Sequence, residues 1–267
     1  MKERNGTGVS EFILLGFSSL EIWFTSVTSP KLMLNFLSVS RTISLNGCMA
    51  QTFFYFALGI TEFCLLVVMS FDRYVAICRP LQYATIMTQT LCIQLVLGSW
   101  VGSFTVMSFR MLLMSKLRFC GPNVINHFFC DNEPIFQLSC TDTSGVRRVD
   151  SILISTLVLS SICLTMLSYV SILFSILRIP TATGRQKAFA TCGSHLTSLA
   201  IGYASCIVLY VRPSGSASLD VNKGVALLNT VLYPFLNPFI YSLRNKTVKL
   251  ALRETFRLSM VKLFPNP

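Results

Sequence analysis

Four cysteines stand where they could form disulfides. Cys120, Cys130 and Cys140 follow one another at ten-residue intervals in a polar loop that also contains His127, and Cys48 begins a long apolar stretch. In an oxidising compartment four cysteines allow two disulfides, with three connectivities. A metal site with His127 is the alternative, but ten-residue intervals do not match the short chelating loops of zinc sites. We expect two disulfides and no metal.

Three charged residues suggest a different kind of chemistry. Asp72 and Arg73 are adjacent at the end of an apolar stretch, and Glu62 is the one charge well inside it. An acid beside an arginine can hold the guanidinium at a membrane boundary until a partner competes for it, although plain interfacial charges give the same pair. An acid inside a membrane indicates function by default, with a protonated, buried carboxyl as the alternative.

The elements that position these residues are predicted to be membrane helices. The 267 residues are 52% hydrophobic and only 12% charged, whereas soluble domains carry roughly 25% charged residues. Five apolar blocks reach the roughly 20 residues needed to cross a bilayer, at 48–72, 90–114, 151–177, 188–211 and 224–243. The sequence therefore predicts an all-α, polytopic membrane helical bundle.

A sixth apolar segment, 12–28, is marginal because Glu21 lies in its middle. A central acidic residue costs about 2.5–3.5 kcal/mol on insertion scales, so five or six spans remain open. With six spans Asn5 lies inside the cell, whereas with five it is lumenal and can carry a glycan.

Lys and Arg exceed Asp and Glu most strongly in one set of loops, which is therefore predicted to be cytoplasmic. This bias places the carboxyl terminus inside and the loop with the three cysteines outside, and it explains the net charge of +11 without nucleic acid. Segment 246–262 mixes apolar and basic residues, which favours an amphipathic helix on the inner leaflet. His127 and His195 fall on opposite sides of the membrane, so no histidine-based site can use both, and we do not expect an enzyme.

Five motifs, in order along nearly the whole chain, resemble those of olfactory receptors, which are rhodopsin-like G-protein-coupled receptors. Within that family, the sequence resembles olfactory receptor family 6. The motifs are Asn5-Gly6-Thr7 with Glu11 to Phe17, Met69 to Cys78, His127 to Asp131, Lys187 to Cys192 with Ser194-His195-Leu196, and Pro234 to Asn245.

The resemblance implies roles for residues that the pattern alone leaves open. It implies the bridges Cys48–Cys130 and Cys120–Cys140, and it implies that Glu21 and Glu62 form a polar, cation-linked site. The residues implied in switching and G-protein coupling are Asp72, Arg73, Tyr74, Asn237, Pro238 and Tyr241.

The resemblance also suggests a ligand site. Tyr55, Phe56, Gly59 and Ile60 share one helix face, as a pocket wall should, although such a stripe is also typical of plain packing. Further ligand contacts are expected from Asn132, Tyr203, Cys206 and Tyr210.

The function implied is that of an odorant receptor. A small volatile odorant would activate a heterotrimeric, stimulatory olfactory G protein and the cyclic AMP pathway, in the plasma membrane of olfactory cilia and without a cofactor. A receptor dimer is a further expectation.

The sequence departs from the family near its amino terminus. After Phe17 it runs directly into Glu21 to Thr28, which resembles the end of the family's second span. We expect a rhodopsin-like seven-helix architecture reduced to five or six spans. A truncated, non-signalling or pseudogene-like product retained in the endoplasmic reticulum is the alternative. A transporter or channel is less expected, because such proteins carry several intramembrane charges or an internal repeat.

Overall fold

The structure, a computed structural model, describes residues 42–120, 124, 125, 127 and 129–210, apart from the side chains at 187, 190, 191, 194, 198 and 205–210. Four long helices dominate this part of the chain. The helices are α1 (Leu45–Cys78), α2 (Tyr83–Ile86), α3 (Gln89–Met114), α4 (Asn132–Gln137), α5 (Ser144–Leu177) and α6 (Ala182–Tyr210), with a 3-10 turn at Pro80–Gln82. The predicted segments 12–28, 224–243 and 246–262 lie outside the described residues.

The ends of α1 follow from local chemistry. The Ser44 hydroxyl accepts a hydrogen bond from the Gly47 backbone N–H at 3.1 Å, which caps the first turn. At the other end, Arg79 leaves the helical conformation (φ −133°, ψ 54°), because the following Pro80 disfavours the α region for the residue before it. The result is a helix of 34 residues, long enough to cross a bilayer and extend beyond it.

Helix α5 starts at Ser144, seven residues before the predicted span at 151–177. The prediction stopped at the charged residues before 151. In the structure two of them are paired, Arg147 with Glu133 and Asp150 with Arg110. The predicted span covers only the apolar part of the helix, whereas α5 continues beyond it through residues whose charges are paired.

The long helices turn apolar side chains outward. Leu159, Leu167 and Phe174 of α5 are all more than half exposed, as expected for a surface covered by lipid. Helices α1, α3 and α5 are long and apolar enough to cross a membrane. Buried hydroxyls in these helices bond back to the preceding turn, as Thr61 does to the Ala57 carbonyl at 2.8 Å, which satisfies them without water.

Helix α1 is the central element of the described bundle and contacts α3, α5 and α6. Two buried clusters mark its ends. The outer cluster includes Cys48, Cys130 and Phe136, and the inner one includes Val75 and Cys92. Between these ends α1 lines a cavity.

Candidate ligand cavity and cytoplasmic switch

A cavity of about 600 Å³ lies beside α1, within the size range typical of small-molecule sites. All four α1 residues predicted for the ligand site line it, namely Tyr55, Phe56, Gly59 and Ile60. Asn132 of α4 lines it from the outer loop. The structure thus brings Asn132 to the same cavity as four residues of α1 that precede it by more than 70 positions.

Aromatic rings form part of the wall. The rings of Tyr55 and Phe56 meet edge to face, with centroids 5.1 Å apart. Tyr55 also contacts Phe129 of the outer loop at 4.6 Å between centroids. Edge-to-face and tilted contacts of this kind fix ring orientation, so this wall is preformed.

The outer loop is held against α1 on both sides of Cys130. The Cys48 and Cys130 Cα atoms are 5.4 Å apart, a geometry compatible with a disulfide. The Thr52 hydroxyl donates to the Cys130 carbonyl at 2.7 Å, and the Cys130 N–H donates to Gln51 Oε1 at 3.2 Å. These contacts set the position of α4, which follows directly.

The second predicted cysteine pair lies within the loop itself. Cys120 and Cys140 have Cα atoms 5.8 Å apart. Beside them the Cys140 N–H donates to the Arg118 carbonyl at 2.9 Å, and Phe119 and Ser139 form an antiparallel bridge. This Cα separation is compatible with a disulfide, and the pairing of Cys120 with Cys140 stays a prediction.

A buried ion pair at the outer end of the cavity was not predicted from the sequence. Arg110 of α3 is 2% exposed and binds Asp150 of α5 through Nε and through Nη2, the latter at 3.1 Å from Oδ2. Its guanidinium also lies over the Phe56 ring, 4.5 Å from the centroid. The sequence did contain a sign of this pair. Arg110 is the one charged residue in the predicted span 90–114, and a charged residue within a span usually has a partner.

A second ion pair connects the loop helix α4 to the start of α5. Arg147 Nη1 lies 2.7 Å from both Glu133 carboxylate oxygens. The Arg147 guanidinium also lies 5.0 Å from the centroid of the Phe136 ring. Arg147, Glu133 and Phe136 all line the cavity, so its outer rim combines charges with an aromatic wall.

Deeper in the bundle, Tyr203 of α6 connects to α5. Its hydroxyl is 2.6 Å from Ser161 Oγ and 3.0 Å from Thr165 Oγ1, and its ring contacts Phe63 at 5.6 Å. Among the described lining residues α6 contributes Gly202 rather than Tyr203. The side chains of Cys206 and Tyr210 lie outside the described residues.

Glu62 also reaches the cavity. It is 8% exposed and lines the cavity at a position two residues along α1 from Ile60. Its predicted partner Glu21 lies outside the described residues, as do Asn5, Asn237, Pro238 and Tyr241.

At the inner end of α1, Asp72 organises a polar cluster. It is 2% exposed and accepts from Arg73 Nε at 2.9 Å and from the Tyr83 hydroxyl at 2.8 Å. Burial, together with this bond to Asp72, raises the pKa of Tyr83 to about 12. Tyr74 instead packs against Ile172 of α5 and its neighbours.

Helices α5 and α6 meet near this cluster through Tyr169 and His195. The Tyr169 hydroxyl is 2.5 Å from His195 Nδ1, and His195 is 4% exposed. The inner halves of α1, α5 and α6 are thus joined by a few specific polar and apolar contacts.

The fold formed by these helices is found in a known receptor. Squid rhodopsin matches it with a TM-score of 0.66 over 97% of this chain and 74% of the rhodopsin chain, at 14% sequence identity. The protein therefore has the rhodopsin-like helical fold of a multi-pass membrane protein, as predicted.

The sequence comparisons are more specific. The olfactory receptor family model matches residues 11–257. Mouse olfactory receptor 6E1 is 51% identical over 244 residues, which cover 91% of this chain and 78% of that receptor. Human olfactory receptor 6J1 is 49% identical over 245 residues, with 92% and 71% covered. The chain belongs to the olfactory receptor family, and the resemblance to its family 6 is confirmed.

This membership supports a general function as an odorant receptor in a membrane, and it agrees with the expectation that the chain is not an enzyme. The comparisons give no support to the alternative of a truncated, non-signalling product.

Proposed function

We propose that this receptor binds a small volatile odorant in the cavity beside α1 and transmits binding to a stimulatory olfactory G protein and the cyclic AMP pathway. The observation that carries the proposal is the convergence of Tyr55, Phe56, Gly59, Ile60 and Asn132 on one cavity. A preformed, largely apolar cavity with a few polar groups suits a small apolar ligand.

Helix α1 connects the two proposed sites. It lines the cavity with Phe56 and, further along the same helix, carries Asp72 and Arg73. A ligand can act only if it binds two helix arrangements with different affinity. We propose that the ligand favours an arrangement in which Arg73 exchanges Asp72 for the G protein, with Tyr74 supporting it from the α5 side.

Two cysteine bridges, Cys48–Cys130 and Cys120–Cys140, complete the proposal. The first would keep α4 and Asn132 over the cavity, and the second would shape the loop that precedes α4. The transporter or channel alternative has no comparable support.

The experiment is a cyclic AMP assay in cells that express the full chain and an olfactory G protein. Wild type should respond to volatile ligands that bind the purified protein. Arg73→Ala should abolish the response while ligand binding persists, and Asp72→Asn should raise basal cyclic AMP because Arg73 loses its partner.

Arg148→Ala is the matched control, because it removes an exposed arginine at the opposite end of the bundle. It should leave both readouts unchanged. A full response from Arg73→Ala at normal surface expression would refute the proposed coupling role.

A further inference from the structure

Carboxylates outnumber cations among the described residues that line the cavity. The carboxylates belong to Glu62, Asp131, Glu133 and Asp150, and the guanidinium groups belong to Arg110 and Arg147. Arg110 binds Asp150 and Arg147 binds Glu133, so each guanidinium charge is already compensated. Asp131 therefore remains as an excess negative charge at the outer end of the cavity, whatever the charge of Glu62.

The outer loop holds Asp131 in a fixed position. Asp131 directly follows Cys130, whose N–H and carbonyl bond to Gln51 and Thr52 of α1. Its Oδ1 accepts from the Asn132 N–H at 2.8 Å, whereas its Oδ2 has no hydrogen-bond partner among the described residues. The unpaired side-chain atoms that are fully buried in that part of the chain do not include Oδ2. This carboxylate oxygen is therefore accessible to a donor.

Two aromatic rings of the lining already have a cation over their faces. The Arg110 guanidinium lies 4.5 Å from the Phe56 centroid, and the Arg147 guanidinium lies 5.0 Å from the Phe136 centroid. A ring face attracts cations because it is the negative side of the π quadrupole. Tyr55 adds a further ring to the same lining. An ammonium group is suited to these surroundings, whereas an anion would meet both the ring faces and the excess carboxylate.

We infer that the ligands of the cavity are protonated amines with an apolar body, and that Asp131 supplies their counter-charge. A small alkylamine is protonated at neutral pH, as the lysine side chain is. An ammonium loses water on entering the cavity, and the carboxylate offsets that loss because charges interact strongly over several ångströms at low dielectric. A hydroxyl group gains much less from the same charge. This inference rests on the proposed function, because it takes the same cavity as the ligand site.

The test measures binding to the purified full chain at neutral pH, in nanodiscs of zwitterionic phosphatidylcholine. The probe is tritiated 2-phenylethylamine, and empty nanodiscs are the blank for partition into lipid. The competitors share the phenyl body and differ in the head group: 2-phenylethanol, propylbenzene and phenylacetate. We expect saturable binding of the amine, with each competitor at least about tenfold weaker, since one hydrogen bond to a charged group changes affinity by that order.

The variants remove one carboxylate at a time. Asp131→Ser removes the charge but keeps a side chain that can cap α4. It should weaken 2-phenylethylamine about tenfold and change the affinity for 2-phenylethanol by less than about twofold. Asp142→Ser is the matched control, because Asp142 likewise accepts a backbone N–H, that of Ser144 at 2.9 Å, and is exposed outside the cavity lining. It should leave both affinities unchanged. Glu62→Gln should weaken the amine less than Asp131→Ser does.

The outcomes separate this inference from the proposed function. Binding of 2-phenylethanol or phenylacetate as tight as that of the amine would overturn the amine assignment but keep the cavity as a ligand site. An undiminished preference for the amine in Asp131→Ser, or a larger loss in Glu62→Gln, would overturn the role of Asp131. Selective binding of the amine without a cyclic AMP response would support the inference and count against the proposed signalling. No saturable binding of any of the four compounds would overturn the inference, while a cyclic AMP response to another volatile ligand would still support the proposed function.

Discussion

Removing one partner of the Arg110–Asp150 pair should destabilise the bundle strongly. In Arg110→Met the Asp150 carboxylate, whose side chain is 12% exposed, remains in the cavity without its counter-charge. Breaking a buried pair in this way costs about 3–5 kcal/mol, and we take about 3 kcal/mol because Asp150 retains some exposure. For a chain of this size that corresponds to a fall of about 6–12 °C in Tm.

The double variant distinguishes a lost charge partner from lost packing. When Asp150→Leu accompanies Arg110→Met, both charges are replaced by apolar side chains, a change that is often neutral or stabilising. The double variant should therefore recover most of the Tm lost in Arg110→Met.

The assay is thermal unfolding of the detergent-solubilised full chain, followed by circular dichroism at 222 nm. Arg148→Met is the control for removing an arginine, because Arg148 is exposed, and it should change stability by less than about 0.5 kcal/mol. The reasoning is wrong if Arg110→Met unfolds within about 2 °C of wild type, or if the double variant is less stable than either single one.

Two further predictions concern hydrogen bonds at the two ends of α1. The Tyr83 pKa of about 12 lies above the ordinary value of about 10, so the bond to Asp72 stabilises fully below about pH 10 and is lost as the pH rises towards 12. Absorbance at 295 nm should show that the phenolate missing from Tyr83→Phe titrates near pH 12, and a missing phenolate that titrates near pH 10 would contradict this. At the outer end, Thr52→Val removes the bond to the Cys130 carbonyl and should lower the unfolding free energy by about 1–2 kcal/mol. The exposed Thr105→Val should not, and equal losses from the two variants would argue against a role for that bond.

The sequence predicted the helices well because their signal is local. Long apolar blocks identified the helices that contain 48–72 and 90–114, and the spacing of Tyr55, Phe56, Gly59 and Ile60 placed them on one face. That face could equally have been plain packing. Only the three-dimensional arrangement shows that it lines a cavity.

The parts that were missed depend on contacts between distant residues. At the start of α5, Arg147 and Asp150 pair with Glu133 and Arg110, which lie 14 and 40 residues away along the chain. A prediction that places span boundaries at charged residues ends the span before Arg147 and Asp150. Similarly, the buried Asn132 Oδ1 has no hydrogen-bond partner among the described residues, which is a property of the folded loop that the sequence does not reveal.

The central claim, that the cavity beside α1 is the ligand site, can be tested by filling it. Gly59 lines the cavity, so Gly59→Phe places a ring inside it, whereas Gly102→Phe adds the same ring to an exposed position on α3 with open space around it. The measurement is saturable binding, to both variants in nanodiscs, of a volatile ligand that activates the wild-type protein in the cyclic AMP assay. The account predicts that Gly59→Phe loses binding and Gly102→Phe keeps wild-type affinity. Wild-type binding by a folded Gly59→Phe protein would contradict it.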